Sequence, residues 1–152
     1  YARAESLARE AYAAVQAGGG HRETSLALIL LAFATLLQGK DSEAAEWLGE
    51  ATREARFFVE PWTTVTVLGG YAALAAKTMP ERAARLMGAS QALLDALGGA
   101  RVPLEEVVHE MTLNRTRERL GDERLAMLMR EGRAMTPDEA LAYALTETPS
   151  AG

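Results

Sequence analysis

Ala44-Ala45-Glu46-Trp47-Leu48-Gly49-Glu50-Ala51 decides how this chain reads, because it has two relatives within the same sequence. Ala4-Glu5-Ser6-Leu7-Ala8-Arg9-Glu10-Ala11 precedes it by 40 residues, and Ala83-Ala84-Arg85-Leu86-Met87-Gly88-Ala89-Ser90 follows it by 39. A small residue recurs at Ala4, Ala44 and Ala83, and again seven residues on at Ala11, Ala51 and Ser90. Large or apolar residues recur between them, at Leu7, Trp47 and Leu86 and at Ala8, Leu48 and Met87. A fixed period of about 20–50 residues is the signature of a stacked repeat, whose units need their neighbours to bury an apolar face. The first unit holds only its second half, so the chain reads as part of a longer protein.

Working outward, punctuation residues divide the chain into eight expected helices. The first runs to about Ala17 and stops at Gly18-Gly19-Gly20. The second spans about Arg22 to Gln38 and ends at Gly39. The third runs from about Ser42 to Phe58, with Asp41 or Ser42 as its cap. The fourth starts near Pro61 and carries Trp62 to Lys77. Met79-Pro80-Glu81 opens the fifth, which Gly98-Gly99 ends, and Val102-Pro103 opens the sixth, which Gly121 ends. Asp122 to Arg133 is a short seventh helix. Thr136-Pro137-Asp138-Glu139 has the form of a capping box and opens the eighth.

The second and fourth helices are apolar nearly all round, whereas the third and fifth are amphipathic. That alternation predicts an all-α fold of antiparallel helix pairs, in which the first helix of each pair is sandwiched and the second lies outside. The residue types resemble the tetratricopeptide pattern, in which small residues let two helices approach closely. The unit is longer than the usual 34 or so residues of that repeat, which predicts helices extended by about a turn. The expectation is a right-handed α-solenoid in one domain over residues 1–147: a partial repeat over 1–17, repeats over 22–58 and 61–98, and a C-terminal cap over 102–147. Residues 148–152 read as a linker or tail.

On that alignment the inner surface carries Leu26, Ile29, Phe33, Leu36 and Leu37 from the second helix, then Val65, Leu68, Ala72, Ala75 and Ala76 from the fourth. Trp62 begins the fourth helix beside Thr63, Thr64 and Thr66, and either closes one end of a pocket or packs in the core. Leu26, Ile29, Phe33, Leu37, Trp62, Val65 and Leu68 are the candidate groove or partner-binding residues. An apolar surface this large needs a cover. Upstream repeats, the last three helices folding back, a second copy of the chain in a homodimer, or an apolar small molecule would each supply one.

Composition bounds the remaining functions. The formal charge of −5 argues against direct nucleic-acid contact by this segment. The absence of Cys removes disulfides and thiolate metal sites, and fits a reducing, cytoplasmic setting. The uncharged run from Ser25 to Leu37 is shorter than the 20 or so residues that span a bilayer, so it predicts a buried helix and no membrane segment. His21 and His109 read as surface or capping histidines; no second His follows His109 at the spacing a zinc protease needs. Gly18-Gly19-Gly20 does not lead into the Lys and Ser or Thr of a phosphate loop. No catalytic set, metal site or cofactor site is expected. Arg115, Arg117 and Arg119, followed by Arg124, Arg130 and Arg133, read as a solvated, salt-bridged face with Glu118, Glu123 and Glu131 interleaved.

Some runs also suggest a family. Glu81-Arg82-Ala83-Ala84-Arg85-Leu86-Met87-Gly88-Ala89, then Leu97-Gly98 and Val102-Pro103, are joined by Gly121-Asp122-Glu123-Arg124, Glu131-Gly132-Arg133-Ala134-Met135-Thr136 and Glu139-Ala140. Together they resemble the C-terminal helical-repeat region of large bacterial LuxR-type and AfsR-like transcriptional regulators built on a signalling ATPase of the STAND class. The resemblance covers about the last 75 residues, and similar regions occur in some multidomain adenylate cyclases and protein kinases. It implies a non-catalytic sensor or scaffold that receives an inducer or partner protein and restrains a neighbouring ATPase domain. It also leaves two alternatives open, a self-association module and a small-ligand sensor of another signalling protein. Gly18-Gly19-Gly20 and Gly69-Gly70 are the expected points of flexure, with close helix packing as the rival account of the second pair.

Overall fold

A computed structural model of the chain describes residues 1–58 and 60–146, and every regular element among them is helical. The helices are α1 (Ala2–Gln16), α2 (His21–Leu36), α3 (Asp41–Glu54), α4 (Pro61–Ala75), α5 (Pro80–Leu97), α6 (Pro103–Leu120), α7 (Asp122–Arg133) and α8 (Pro137–Leu145). The fold is therefore all-α with eight helices among the described residues. The expected tail, residues 148–152, lies outside them.

The punctuation works largely as its chemistry dictates. Pro occupies the first turn of α4, α5, α6 and α8, where its missing N–H removes no helical bond. Thr136 and Glu139 form a complete capping box on α8. Gly39, Gly98 and Gly121 take the positive φ that ends α2, α5 and α6. Three details differ from expectation. α2 stops at Leu36 because the Lys40 N–H turns back to the Thr35 carbonyl at 3.0 Å. α3 tightens into a 3₁₀ turn over Ala55–Phe57 before reaching Phe58. Neither Asp41 nor Ser42 caps α3; its N-cap is Lys40, and Asp41 pairs with Lys77 Nζ at 2.7 Å, tying α3 to the end of α4.

α2 packs along α3, α4 along α5, and α1 along α2. The repeated small residues mark where these pairs cross. Ala44, Ala51 and Ala83 have no exposed surface, and Ser90 is nearly as enclosed. The same crossing recurs with the hydroxyl on opposite partners. Ser25 of α2 donates to the Ala51 carbonyl of α3 at 3.1 Å, and Ser90 of α5 donates to the Val65 carbonyl of α4 at 2.9 Å. A buried hydroxyl must find such an acceptor, so each bond also sets the helix register. α2 buries residues on every side, including Leu28, Ile29, Leu31 and Phe33, which accounts for its lack of a single apolar stripe. α3 buries only Ala44, Leu48, Ala51 and Thr52, one face of a helix.

The last three helices return to the body. α7 lies along α5, while α6 and α8 cover opposite faces of α4. α6 presents Val108, Thr112 and Thr116 as its buried stripe. The two threonines satisfy their hydroxyls within the helix, donating to Val108 and Thr112 carbonyls at 2.7 Å, and so present methyl groups to the core. α8 buries Ala140 and Ala144 in the cluster that holds Leu68 and Ala72.

Candidate functional site

α6 decides the fate of the apolar inner face. Val108 joins Leu28, Ile29 and Phe33 in one core cluster, with Leu104 packed against it. Of the seven candidate groove residues, Ile29, Phe33, Val65 and Leu68 are buried, and Leu37 is half-buried. Phe33, Val65, Leu68 and Leu37 form no open groove, because the chain's own α6 and its neighbouring helices cover them; Ile29 only floors the edge of a cleft. Leu26, 59% exposed, and Trp62, 39% exposed, remain accessible.

Leu26, Ile29 and Trp62 meet Val102 in a cleft of about 220 Å³ at the edge of α6. Its polar rim includes Glu105 and the ion pair of Arg22 with Glu60, 2.7 Å apart. The Trp62 indole rests against the turn after α5. A Cβ placed on Gly99 would stand 2.6 Å from Trp62 Cζ2, so that turn needs a residue without a side chain to seat the ring. Trp62 thus lines a cleft instead of filling the core. Val102, itself 53% exposed, completes the cleft, and repeat spacing could not reveal it, since it lies in the α5–α6 connection. The sequence signal available was Gly98-Gly99-Ala100, a run of small residues that lets an aromatic approach the backbone.

Beneath α6 a second, small cavity of about 20 Å³ remains, room for one water. Phe33, Val65 and Met87 supply its apolar wall, and Arg101, Glu105 and His109 its polar one. The Thr66 hydroxyl shares its proton between Glu105 Oε1 at 2.9 Å and the Trp62 carbonyl at 3.0 Å, joining α4 to the start of α6. Arg101 Nη1 donates to Gln91 Oε1 at 2.9 Å, while its Nη2 is buried with no hydrogen-bond partner among the described residues. Burial, then the Arg101 guanidinium, pushes the His109 pKa below its ordinary value, so the imidazole is neutral near pH 7. His109 is therefore not a surface or capping histidine: the path of α6 across α2 and α4 turns it inward. His21 does stay at the surface. It stacks on Phe57 with ring centroids 4.0 Å apart, and its Nδ1 lies 2.6 Å from Glu54.

The arginine cluster is spread over ion pairs between helices. Arg124 pairs with Glu81 at 2.6 Å, Arg133 with Asp95 at 3.0 Å and Arg117 with Asp122 at 3.0 Å; Arg119 donates to the Lys77 carbonyl. The partners differ from the interleaved glutamates of the sequence reading, because α7 lies beside α5 and exchanges charges with it. Glu131 accordingly pairs with Arg85 of α5. Among the described residues no group of three His, Asp or Glu is placed to hold a metal ion, and no helix is long and apolar enough to cross a membrane. No protein-family model matches the chain, and no curated protein or solved structure matches it either.

Proposed function

We propose that this chain is a non-catalytic helical-repeat sensor or scaffold domain of a bacterial transcriptional regulator, acting in the cytoplasm through contacts with other domains of its parent protein or with a partner protein. The observation that carries the binding part of this reading is the grouping of Leu26, Trp62 and Val102, three exposed apolar side chains in one cleft with a charged rim. An accessible Trp among aliphatic residues, ringed by polar groups, is the composition in which binding energy concentrates. The regulatory part rests on the resemblance of the last 75 or so residues to LuxR-type and AfsR-like proteins.

Two measurements test it. The coding sequence on either side should contain a nucleotide-binding loop upstream and a basic helix-turn-helix downstream; a cyclase or kinase domain there instead overturns the transcriptional assignment. In the parent protein, Trp62→Ser should abolish the regulatory response while the melting temperature of the domain stays within a few degrees of wild type. A normal response in that variant removes the cleft from the mechanism.

A second reading, self-association, draws on α1. Leu7 and Ala11 are exposed, although their counterparts Leu86, Ala51 and Ser90 are buried in the later units. Light scattering that stays at monomer mass to millimolar concentration overturns it.

A further inference from the structure

A sizeable pocket lies away from the inner face. It lies on the opposite side of α4, under α8, with a volume of about 340 Å³. We infer that it binds a neutral, mostly apolar small molecule carrying a hydroxyl group, and that this ligand holds α8 against the body. The inference rests on the sensor reading for its biological meaning and supplies that reading with a ligand class and a moving part.

The walls set the class. Phe58, Val67, Leu93, Leu141 and Leu145 make the cavity predominantly apolar. On the α4 side, the two hydroxyl-bearing residues Thr63 and Thr64 line it. Thr63 donates to Glu60 Oε2 at 3.2 Å, which leaves its oxygen free to accept from a ligand hydroxyl. The mouth carries Arg56 together with Glu60 and Asp138. Both signs face the opening, so a full charge on the ligand meets repulsion as well as attraction. The volume suits a body of roughly ten to fifteen non-hydrogen atoms and falls in the size range of small-molecule sites.

The attachment of α8 makes it the responsive element. The helix has nine residues, too few for independent stability, so its order depends on what it packs against. Ala140 and Ala144 face the core, with Tyr143 packed beside them, while Leu141 and Leu145 line the cavity. Leu145 remains 45% exposed there. A charged donor from α5 anchors its last turn. Arg82 Nη2 donates to the carbonyls of Tyr143, Ala144 and Thr146 at 2.8, 2.8 and 3.0 Å, and its guanidinium lies over the Tyr143 ring. A ligand that adds apolar contact to Leu141 and Leu145 binds the docked helix and not the undocked one, and therefore shifts the balance between them.

The test uses the 152-residue chain and 2-naphthol as the probe, followed by amide NMR and hydrogen exchange. The expected result is a saturable shift at Thr64, Val67, Leu141 and Leu145, with slower exchange across α8. Leu93→Trp, which fills the cavity from α5, should abolish saturation. Should that variant fail to fold, Thr64→Val serves in its place and should weaken binding about fivefold, the loss of one neutral hydrogen bond. Naphthalene-2-sulfonate should bind more weakly than 2-naphthol. No saturable shift up to the solubility limit of 2-naphthol overturns the proposal. So does a shift confined to Leu26, Trp62 and Val102, or one that survives Leu93→Trp. Each of these outcomes concerns the cavity alone, whereas the identity of the flanking domains decides the regulatory reading separately.

Discussion

Gly132 of α7 lies directly on the backbone of Arg85 in α5: a Cβ at position 132 would stand 2.6 Å from the Arg85 carbonyl carbon. Three residues away the contact is returned, with a Cβ on Gly88 standing 2.8 Å from the Met129 carbonyl carbon. Two glycines on two helices thus let the backbones touch, and both belong to the runs that carry the family resemblance. Gly69, also within a helix, faces open space.

These three glycines predict opposite outcomes for one substitution. Gly132→Ala and Gly88→Ala drive a methyl into backbone that no rotamer change can move. Overpacking costs about 1–3 kcal/mol or more, which exceeds the roughly 1 kcal/mol gained in helix propensity. Gly69→Ala keeps only the gain and should stabilise by up to about 1 kcal/mol. Urea denaturation of the three variants checks this, and wild-type stability in Gly132→Ala overturns the α5–α7 contact. Gly70 differs from its neighbour: a Cβ there meets both Leu48 methyls at 2.9 Å, so close packing accounts for it within a continuous α4.

Acid should loosen α1 first. Glu5 is nearly buried, and hydrogen bonds from Lys40, Arg9 and Gln38 lower its pKa from 4.5 to about 2. The folded value lies below the unfolded one, so this contribution to stability is complete above pH 4.5 and drains away as the pH falls toward 2. Glu5→Gln should lower the melting temperature by several degrees at pH 7 and flatten its dependence on pH in that window. Identical melting profiles for variant and wild type would remove the network from the stability of α1.

His109 acts at higher pH and with the same sign. Its folded pKa lies below the ordinary value of 6.5, which means that the unfolded chain takes up the proton more readily. Stability is complete above pH 6.5 and declines as the pH drops below it. His109→Gln should abolish that decline, measured by denaturant midpoints from pH 8 to pH 5. An unchanged slope in the variant would show that another group titrates there.

Arg82→Ala should release α8 while leaving α2 to α5 intact. Losing the charged donor to three carbonyls costs about 1.4 kcal/mol or more, which raises hydrogen exchange across α8 about tenfold. Exchange that stays at the wild-type rate would show that Ala140 and Ala144 suffice to dock the helix.

Local chemistry made much of this molecule readable. Proline at four helix starts, glycine at three helix ends and the Thr136–Glu139 box are decided by backbone sterics and by hydrogen bonds within a few residues. The repeat at Ala44, Ala51, Ala83 and Ser90 was readable too, because a helix crossing demands small residues wherever it recurs. The cap of α3 is not legible locally, because Lys77, distant in sequence, offers Asp41 an ion pair. Trp62 kept two readings open because its seat, Gly99, belongs to another helix's terminus.

The sequence by itself determined the eight helices found among the described residues, their approximate ends and the pairing of neighbours, all of which depend on periodicity and short-range contacts. Only the tertiary structure decided what covers the apolar face. α6 wins that place with Val108, Thr112 and Thr116, two of them polar residues whose hydroxyls turn inward on the helix backbone. No count of apolar residues identifies such a stripe. The cleft at Trp62, which Val102 completes, and the cavity under α8 likewise need residues that the repeat spacing does not mark. Their walls come from connections and helices brought together by long-range packing, which one-dimensional spacing does not encode.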